Sequence, residues 1–412
     1  MYIKELVISN FRGIENSRFY FERNQPAVLI GENGSGKSST LDCIAILLSQ
    51  FAAKLINPRA IGRNFTPHDI NVDSSYTANA ITLDIKGKNV SWSTARHKTP
   101  RFRSSQDNAD LRATVERLYT QLEESPETNL PLAVYYPTNR AVLDIPLRIR
   151  TKHSFRQTDA YEMALTGGGI AFRRFFEWFR EREDVENEFR LDEPSYRDNQ
   201  LTAVRDAIVK MRSEYTNLRV RRSPLRMVVT KGDQELEIGM LSDGEKCLLA
   251  LVGDLARRLA IANPSLTNPL EGAGIVLIDE VELHLHPRWQ REVVPSLVKA
   301  FPGCQFILTT HSPQVISDVR PENVFILDGN SVRHPESSLG RDSNRILEDV
   351  MGTTERPYQV QEKLSQLFRL IDDGKLTEAK SQMEDLVSLI GYGEPLFAKA
   401  EVMMNRRRVL AK

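Results

Sequence analysis

Residues 27–38 read Ala27-Val28-Leu29-Ile30-Gly31-Glu32-Asn33-Gly34-Ser35-Gly36-Lys37-Ser38, and this stretch decides the fold. Four consecutive apolar residues stop at Gly31, as in a strand buried on both faces of a parallel or mixed sheet. From Ser38 to about Leu55 the apolar residues return at helical spacing. Gly31 to Ser38 matches the pattern G-x-x-x-x-G-K-[ST], with a strand before it and a helix after it. Glycines let backbone N–H groups converge on phosphate oxygens at the positive end of the helix. In that chemistry Lys37 reaches the β- and γ-phosphates and Ser38 turns its hydroxyl to Mg²⁺. Asn33, Gly34, Ser35, Gly36 and Ser39 complete the nucleotide-binding set. A glycine-rich turn with a chance lysine is the bland alternative, and the flanking strand and helix argue against it.

A second apolar run, Gly274-Ile275-Val276-Leu277-Ile278, ends in Asp279-Glu280. Downstream of a phosphate loop, this pair suits a Walker B strand. Asp279 then serves the metal shell, and Glu280 orients and polarises the attacking water. Leu241-Ser242-Asp243-Gly244-Glu245 precedes a long helix over 245–262, whose Leu248, Leu251, Val252, Leu255 and Leu259 share one face. Ser242 with Glu245 three residues later fits a capping box. A third apolar strand, 305–309, leads to Thr310-His311-Ser312, so His311 is a candidate contact to the γ-phosphate.

Working outward, strands are expected over 2–10, around Phe19 and Phe21, and over 76–94 with a turn at Lys86-Gly87-Lys88-Asn89. Further strands are expected at 131–136, 227–229, 236–238 and 323–327. Residues 96–108 read as a polar, basic loop, and 110–124 and 288–300 as helices. Between Thr151 and Val220 aromatic and charged residues interleave at helical spacing, with a second helix read over 200–218. The last residues, with Leu364, Leu367, Phe368 and Ile371, then Met383, Leu386, Val387 and Ile390, form a helical tail. The expected division is 1–150 and 221–340 for two parts of an α/β core, 151–220 for an inserted helical lobe, and 341–412 for a helical appendage.

Composition narrows the class. The 412 residues carry 55 Lys and Arg against 55 Asp and Glu, which argues against a polycation that coats nucleic acid. Three scattered cysteines rule out a disulfide scaffold and fit a reducing cytoplasm. No run approaches the ~20 apolar residues that span a bilayer, and no membrane partner is expected. Residues 140–226 hold 18 Lys and Arg against 14 Asp and Glu, with Arg219, Arg221, Arg222 and Arg226 clustered. A solvated charged face is the bland reading of that cluster, and a DNA-facing patch is the alternative.

The order phosphate loop, Leu-Ser-Asp-Gly-Glu, Walker B and histidine resembles the ABC-type ATPase superfamily, in its soluble RecF/SMC-like branch. The resemblance implies an α/β ABC-type ATPase head, a mixed sheet around a P-loop core. Ser242 and Gly244 then stand in the signature motif and grip ATP held by a second subunit, although Asp243 replaces the usual first glycine. Ile8-Ser9-Asn10-Phe11-Arg12-Gly13 resembles the branch's first strand and turn, which makes Arg12 a candidate nucleotide contact. Glu282-Leu283-His284-Leu285-His286 falls at the D-loop, where a subunit contact is preferred over a metal site. No glutamine stands at the Q-loop position, where Asn139 and Arg140 occur instead. The roughly 70 residues between 151 and 220 are too few for a long coiled coil.

Phe175-Phe176-Glu177-Trp178-Phe179, the turn Gly340-Arg341-Asp342-Ser343-Asn344 and the tail around Leu370-Ile371-Asp372-Asp373-Gly374 are similar to PtuA-type ATPases of Septu and retron antiphage systems. That family implies ATP with Mg²⁺, self-association in an ATP-sandwich dimer or larger homo-oligomer, and a separate HNH nuclease docked on the C-terminal helices. DNA is then reached through the complex. The alternatives are a RecF-like repair ATPase that clamps DNA and the nucleotide-binding subunit of a transporter.

Overall fold

A computed structural model describes residues 1–99, 106–125, 127–139, 156–170, 172–328, 331–352 and 356–410. The chain divides into two compact units, Met1–Ser343 and Asn344–Lys412.

The first unit is built on a six-stranded sheet. Its order is β14 (Ser331–Arg333), β13 (Val324–Asp328), β3 (Ala27–Ile30), β12 (Cys304–Thr309), β11 (Gly274–Ile278) and β7 (Leu132–Tyr136). From β13 to β7 all neighbours are parallel, and only β14 pairs antiparallel. Every residue of β3, β7, β11 and β12 is buried. Each large aliphatic side chain removed from water in this way contributes about 1.5–3 kcal/mol, which is why β3, β7 and β11 read as unbroken apolar runs and β12 is apolar over Phe306 to Leu308. A second, five-stranded antiparallel sheet has the order β2 (Ile14–Tyr20), β1 (Tyr2–Phe11), β4 (Tyr76–Ile85), β5 (Lys88–His97) and β6 (Gln106–Asp107). The buried Gln305 of β12 joins the two sheets, accepting from Ile3 N at 2.7 Å and donating to Ile3 O at 3.1 Å.

Helix α1 (Lys37–Ile56) packs against both sheets; Trp92 Nε1 of β5 donates to Leu47 O at 3.0 Å. Among the described residues it is the one helix long and apolar enough to cross a bilayer, against the expectation that no such stretch exists. Its apolarity has another cause, because 72% of that stretch is buried in the protein. Helix α2 (Ala109–Glu124) covers α1 and β5.

The region expected to be a helical lobe contains α3 (Phe172–Asp192) and α4 (Asn199–Met211). Residues 140–155, including the expected start of that lobe and Arg140, lie outside the described residues, as do 100–105 of the expected basic loop. The second helix was expected to reach 218 but ends at Met211, and β8 (Tyr215–Arg222) follows. β8 forms a small antiparallel sheet with β9 (Leu225–Lys231) and β10 (Gln234–Glu237). Helix α5 (Asp243–Ala262) carries α3 and α4 on its surface and is itself almost wholly buried.

At its middle, Asp254 accepts from Arg257 Nη2 at 2.8 Å, Arg258 Nε at 2.6 Å and the Tyr136 hydroxyl at 3.0 Å. Burial opposes this carboxylate, but the two arginines outweigh it and hold its pKa down to about 2. Strand β7 is thereby tied to the helix that begins at Ser242. Helices α6 (Pro287–Ala300) and α7 (Pro313–Ile316) complete the helices of the first unit, and α8 (Ser343–Asp349) opens the second.

The second unit has its own core. Helices α9 (Tyr358–Asp372), α10 (Leu376–Ile390) and α11 (Pro395–Leu410) enclose Leu364, Leu367, Ile371, Leu386, Phe397 and Met404.

Candidate functional site

The three parallel strands β3, β12 and β11 are adjacent in that order. Their C-terminal ends therefore deliver three loops to one edge of the sheet, where open α/β sheets bind ligands. β3 delivers Gly31–Gly36, β11 delivers Asp279 and Glu280, and β12 delivers Thr309, Thr310 and His311.

Gly36 caps α1 with φ of 100°, a backbone conformation that side-chain-bearing residues rarely adopt. Lys37 Nζ donates to Gly31 O at 2.8 Å and to Glu32 O at 2.9 Å, so the ammonium lies under its own loop. Burial lowers its pKa, with Asp279, Glu280 and Glu282 acting in the opposite sense. The buried Ser35 hydroxyl has no hydrogen-bond partner, leaving a donor for a phosphate oxygen. Asn33, Gly34 and Ser39 lie in or just after the same loop.

Ser38 Oγ donates to Asp279 Oδ1 at 3.0 Å across 241 residues of chain. Thr309 Oγ1 donates to the same oxygen at 2.6 Å and accepts from Glu280 N at 2.7 Å. Glu280 has φ of 46°, a left-handed conformation that costs an L-residue roughly 1–2 kcal/mol. Thr309 holds it there with that bond and with its carbonyl, which accepts from Val281 N at 3.0 Å. Thr309 is the residue that sequence reasoning missed; it stands two positions before the singled-out His311. The backbone N of His311 donates to Glu282 Oε1 at 2.6 Å, so the expected D-loop and the histidine loop are joined. The hydroxyl of Ser38 and the carboxylate of Asp279 form an oxygen-only donor set, which fits Mg²⁺. Among the described residues no group of three or more His, Cys, Asp and Glu is placed to hold a metal ion.

Arg12 is neither an exposed turn residue nor bonded to the phosphate loop. It donates to Asp42 Oδ2 of α1 at 2.5 Å and to Asp69 Oδ1 at 2.9 Å. Burial works against its charge, but Asp42 and Asp69 outweigh it and raise its pKa. Ser242 caps α5 in the expected capping box: Ser242 N donates to Glu245 Oε2 at 2.7 Å, and Glu245 N to Ser242 Oγ at 3.4 Å. Burial disfavours the Glu245 carboxylate, yet Lys231, Tyr215 and Ser242 together hold its pKa down to about 2. Asn139 is exposed in the turn after β7.

Gly244 packs so closely on the loop after β11 that an added Cβ would lie 2.3 Å from His284 O. Gly244→Ala is therefore expected to lower the melting temperature, by the equivalent of about 1–3 kcal/mol for an overpacked site. Differential scanning fluorimetry checks this; an unchanged melting temperature contradicts the close approach. The clustered arginines are largely engaged. Arg219 and Arg221 share Glu235, and Arg222 pairs with Glu183 and Asp184 at 2.5 Å for the latter. Arg219, Arg221 and Arg222 are thus compensated by acids from β10 and α3, as on a solvated charged face, the bland reading of the cluster, rather than the DNA-facing alternative.

Comparison with known proteins adds to this geometry. Residues 27–317 match the family described as AAA domain, putative AbiEii toxin, Type IV TA system. The chain is 29% identical to the Retron Ec83 probable ATPase of Escherichia coli, over 86% of this chain and 77% of that protein. It is 29% identical to the Retron Vc95 probable ATPase of Vibrio cholerae serotype O1 biovar El Tor, over 89% and 82%. It is 25% identical to the Septu protein PtuA of Bacillus mycoides, over 81% of this chain and 41% of that protein. Among solved structures, an SmcHead bound to the C-winged helix domain of ScpA aligns with a TM-score of 0.49 at 18% identity, over 81% of this chain and 98% of that one.

Proposed function

From the premise that the chain belongs to the family described as AAA domain, putative AbiEii toxin, Type IV TA system, we propose that it is the ATP-hydrolysing switch subunit of an antiphage defence complex. The observation that carries this reading is the meeting of Ser38, Asp279 and Thr309 beside the Lys37 loop. The names of the retron and Septu relatives supply the defence context.

In this reading the amides of residues 33–37 and the Lys37 ammonium grip the phosphate chain. Ser38 and Asp279 would hold Mg²⁺, whose positive charge would be available to the phosphate oxygens when bound. Glu280, fixed in its turn by Thr309, accepts hydrogen from the attacking water and aligns its lone pair. His311, at the end of the strand between phosphate loop and Walker B, faces the terminal phosphate. Ser242 and the amides at the start of α5 complete the site of a second copy, so two chains close over two nucleotides.

The unit 344–412 docks a separate nuclease of the HNH class, which acts on DNA. It is suited to that task because it encloses its own core and leaves Tyr358, Leu389, Tyr392 and Val402 exposed. Removing residues 345–412 is expected to leave nucleotide binding within about twofold of the full chain, a change of about 0.4 kcal/mol, while abolishing capture of the nuclease. Nucleotide titration and pull-down of the tagged chain from its host test this together. Nuclease capture by the shortened chain would remove the docking role.

A further inference from the structure

A cleft of about 850 Å³ lies between α3, α4 and β8. Arg190, Arg197, Arg205, Arg219, Arg221 and Arg222 stand on its walls, against Glu183, Glu186 and Asp206. Two of these acids are buried and already engaged in holding the walls together. Glu183 accepts from Val220 N at 3.1 Å and Arg205 Nη2 at 3.3 Å, and Glu186 accepts from Asp198 N and Arg205 Nη1, both at 3.0 Å. The free edge of β8 is closed by the same side chains.

The rim is different. Among the described residues Arg190 has no hydrogen-bond or ion-pair partner, and Arg197 donates to the backbone carbonyls of Pro194 and Tyr196 and to no carboxylate. Arg190 and Arg197 therefore stand at the rim with no carboxylate bound to them, away from the arginine cluster that is conspicuous in the sequence. The residue before each rim arginine is aromatic. Phe189 is 53% exposed, and its ring centroid lies 5.0 Å from that of Tyr196. Asn187 and Asn217 add neutral amides to the lining. Asn217 adopts φ of 51° beside the irregularity between Thr216 and Arg219.

We propose that this cleft and its rim bind a segment of single-stranded nucleic acid, with Arg190 and Arg197 on its phosphates and the Phe189–Tyr196 pair, which stands beside these arginines outside the cleft lining, offering a ring face to a base. Guanidinium groups beside accessible aromatic faces are the combination that single strands require. A duplex hides its base faces, and an acidic peptide has no use for the rings. The volume suits about two or three nucleotides, within the range of ligand-sized clefts. The site stands apart from the ATP-binding edge and does not depend on the ATPase reading.

Fluorescence anisotropy of a labelled oligothymidine of about 12 nucleotides, titrated with the full-length chain across a salt series, tests the proposal. Arg190→Ala with Arg197→Ala is expected to weaken binding at least about tenfold and to reduce the slope of log affinity against log salt by about 1.4, about 0.7 for each phosphate contact. Phe189→Ala with Tyr196→Ala is expected to weaken binding about tenfold or more with the slope unchanged. All variants should keep the ATP turnover of the parent chain, so a failure here is distinguishable from a failure of the ATPase assignment. The proposal is overturned if the double arginine variant binds like the parent. It is also overturned if duplex DNA binds as tightly, or if polyglutamate or a mononucleotide displaces the oligonucleotide at equal phosphate or carboxylate concentration.

Discussion

Lys37→Ala is expected to lose ATP binding by about 100-fold to 10,000-fold, and turnover with it. Two charge-assisted bonds to phosphate are removed, each contributing about 1.5–3 kcal/mol, and 1.4 kcal/mol is tenfold in affinity. The lysine is already in place, since Gly31 O and Glu32 O hold its ammonium at 2.8 and 2.9 Å. Nucleotide phosphates therefore replace a bond pair rather than organise a floppy side chain, and the substitution removes a prepaid arrangement. The fold should survive, because α1 is anchored by Leu41, Ile44, Leu47, Leu48 and Phe51, all fully buried. Calorimetric titration with ATP, together with a melting curve, separates the two effects. Binding within tenfold of the parent would overturn the phosphate role of Lys37.

Glu280→Gln carries the second large effect and the opposite pattern. Glutamine keeps the size and the left-handed backbone held by Thr309, but it cannot take a proton. Turnover is expected to fall by about 100-fold to 10,000-fold, the usual worth of a positioned general base, while ATP affinity stays close to that of the parent. The signature in single-turnover kinetics is nucleotide that binds and stays uncleaved. If Glu280→Gln hydrolyses ATP at the parent rate, Glu280 is not the base.

The parts of the site that could be read from the sequence are those where motif and strand are contiguous. Apolar runs of three to five residues that stop at Gly31, Asp279 and Thr309 announce buried parallel strands, and the chemistry sits at their ends. What could not be read is how those strands are ordered: β12 enters between β3 and β11 from 274 residues downstream of β3, counting Ile30 to Cys304. Thr309 gains its role only from that insertion.

The strand β8 was hidden for a different reason. Val204, Ile208, Met211, Tyr215 and Leu218 follow helical spacing without a break, and all five are buried. The helix stops at Met211 because the segment beyond it finds better partners: Val220 N is taken by Glu183, Leu218 O by Arg205, and β9 pairs along the other edge. Tertiary contacts override periodicity there. The same long-range pairing explains why the sequence left a DNA-facing patch open as the alternative to a solvated charged face at the arginine cluster. Its compensating acids, Glu183, Asp184 and Glu235, come from α3 and β10.

The central claim is that two copies of the chain close over ATP, each supplying Lys37 to one nucleotide and Ser242 to the other. The most direct measurement is the mass of the Glu280→Gln chain in solution, by analytical ultracentrifugation, with and without ATP and Mg²⁺. The account predicts self-association, dimer or larger, that increases on adding ATP and is lost when Ser242→Arg is introduced into the same chain. An oligomeric state that ignores ATP, or an ATP-driven dimer indifferent to Ser242→Arg, would contradict it.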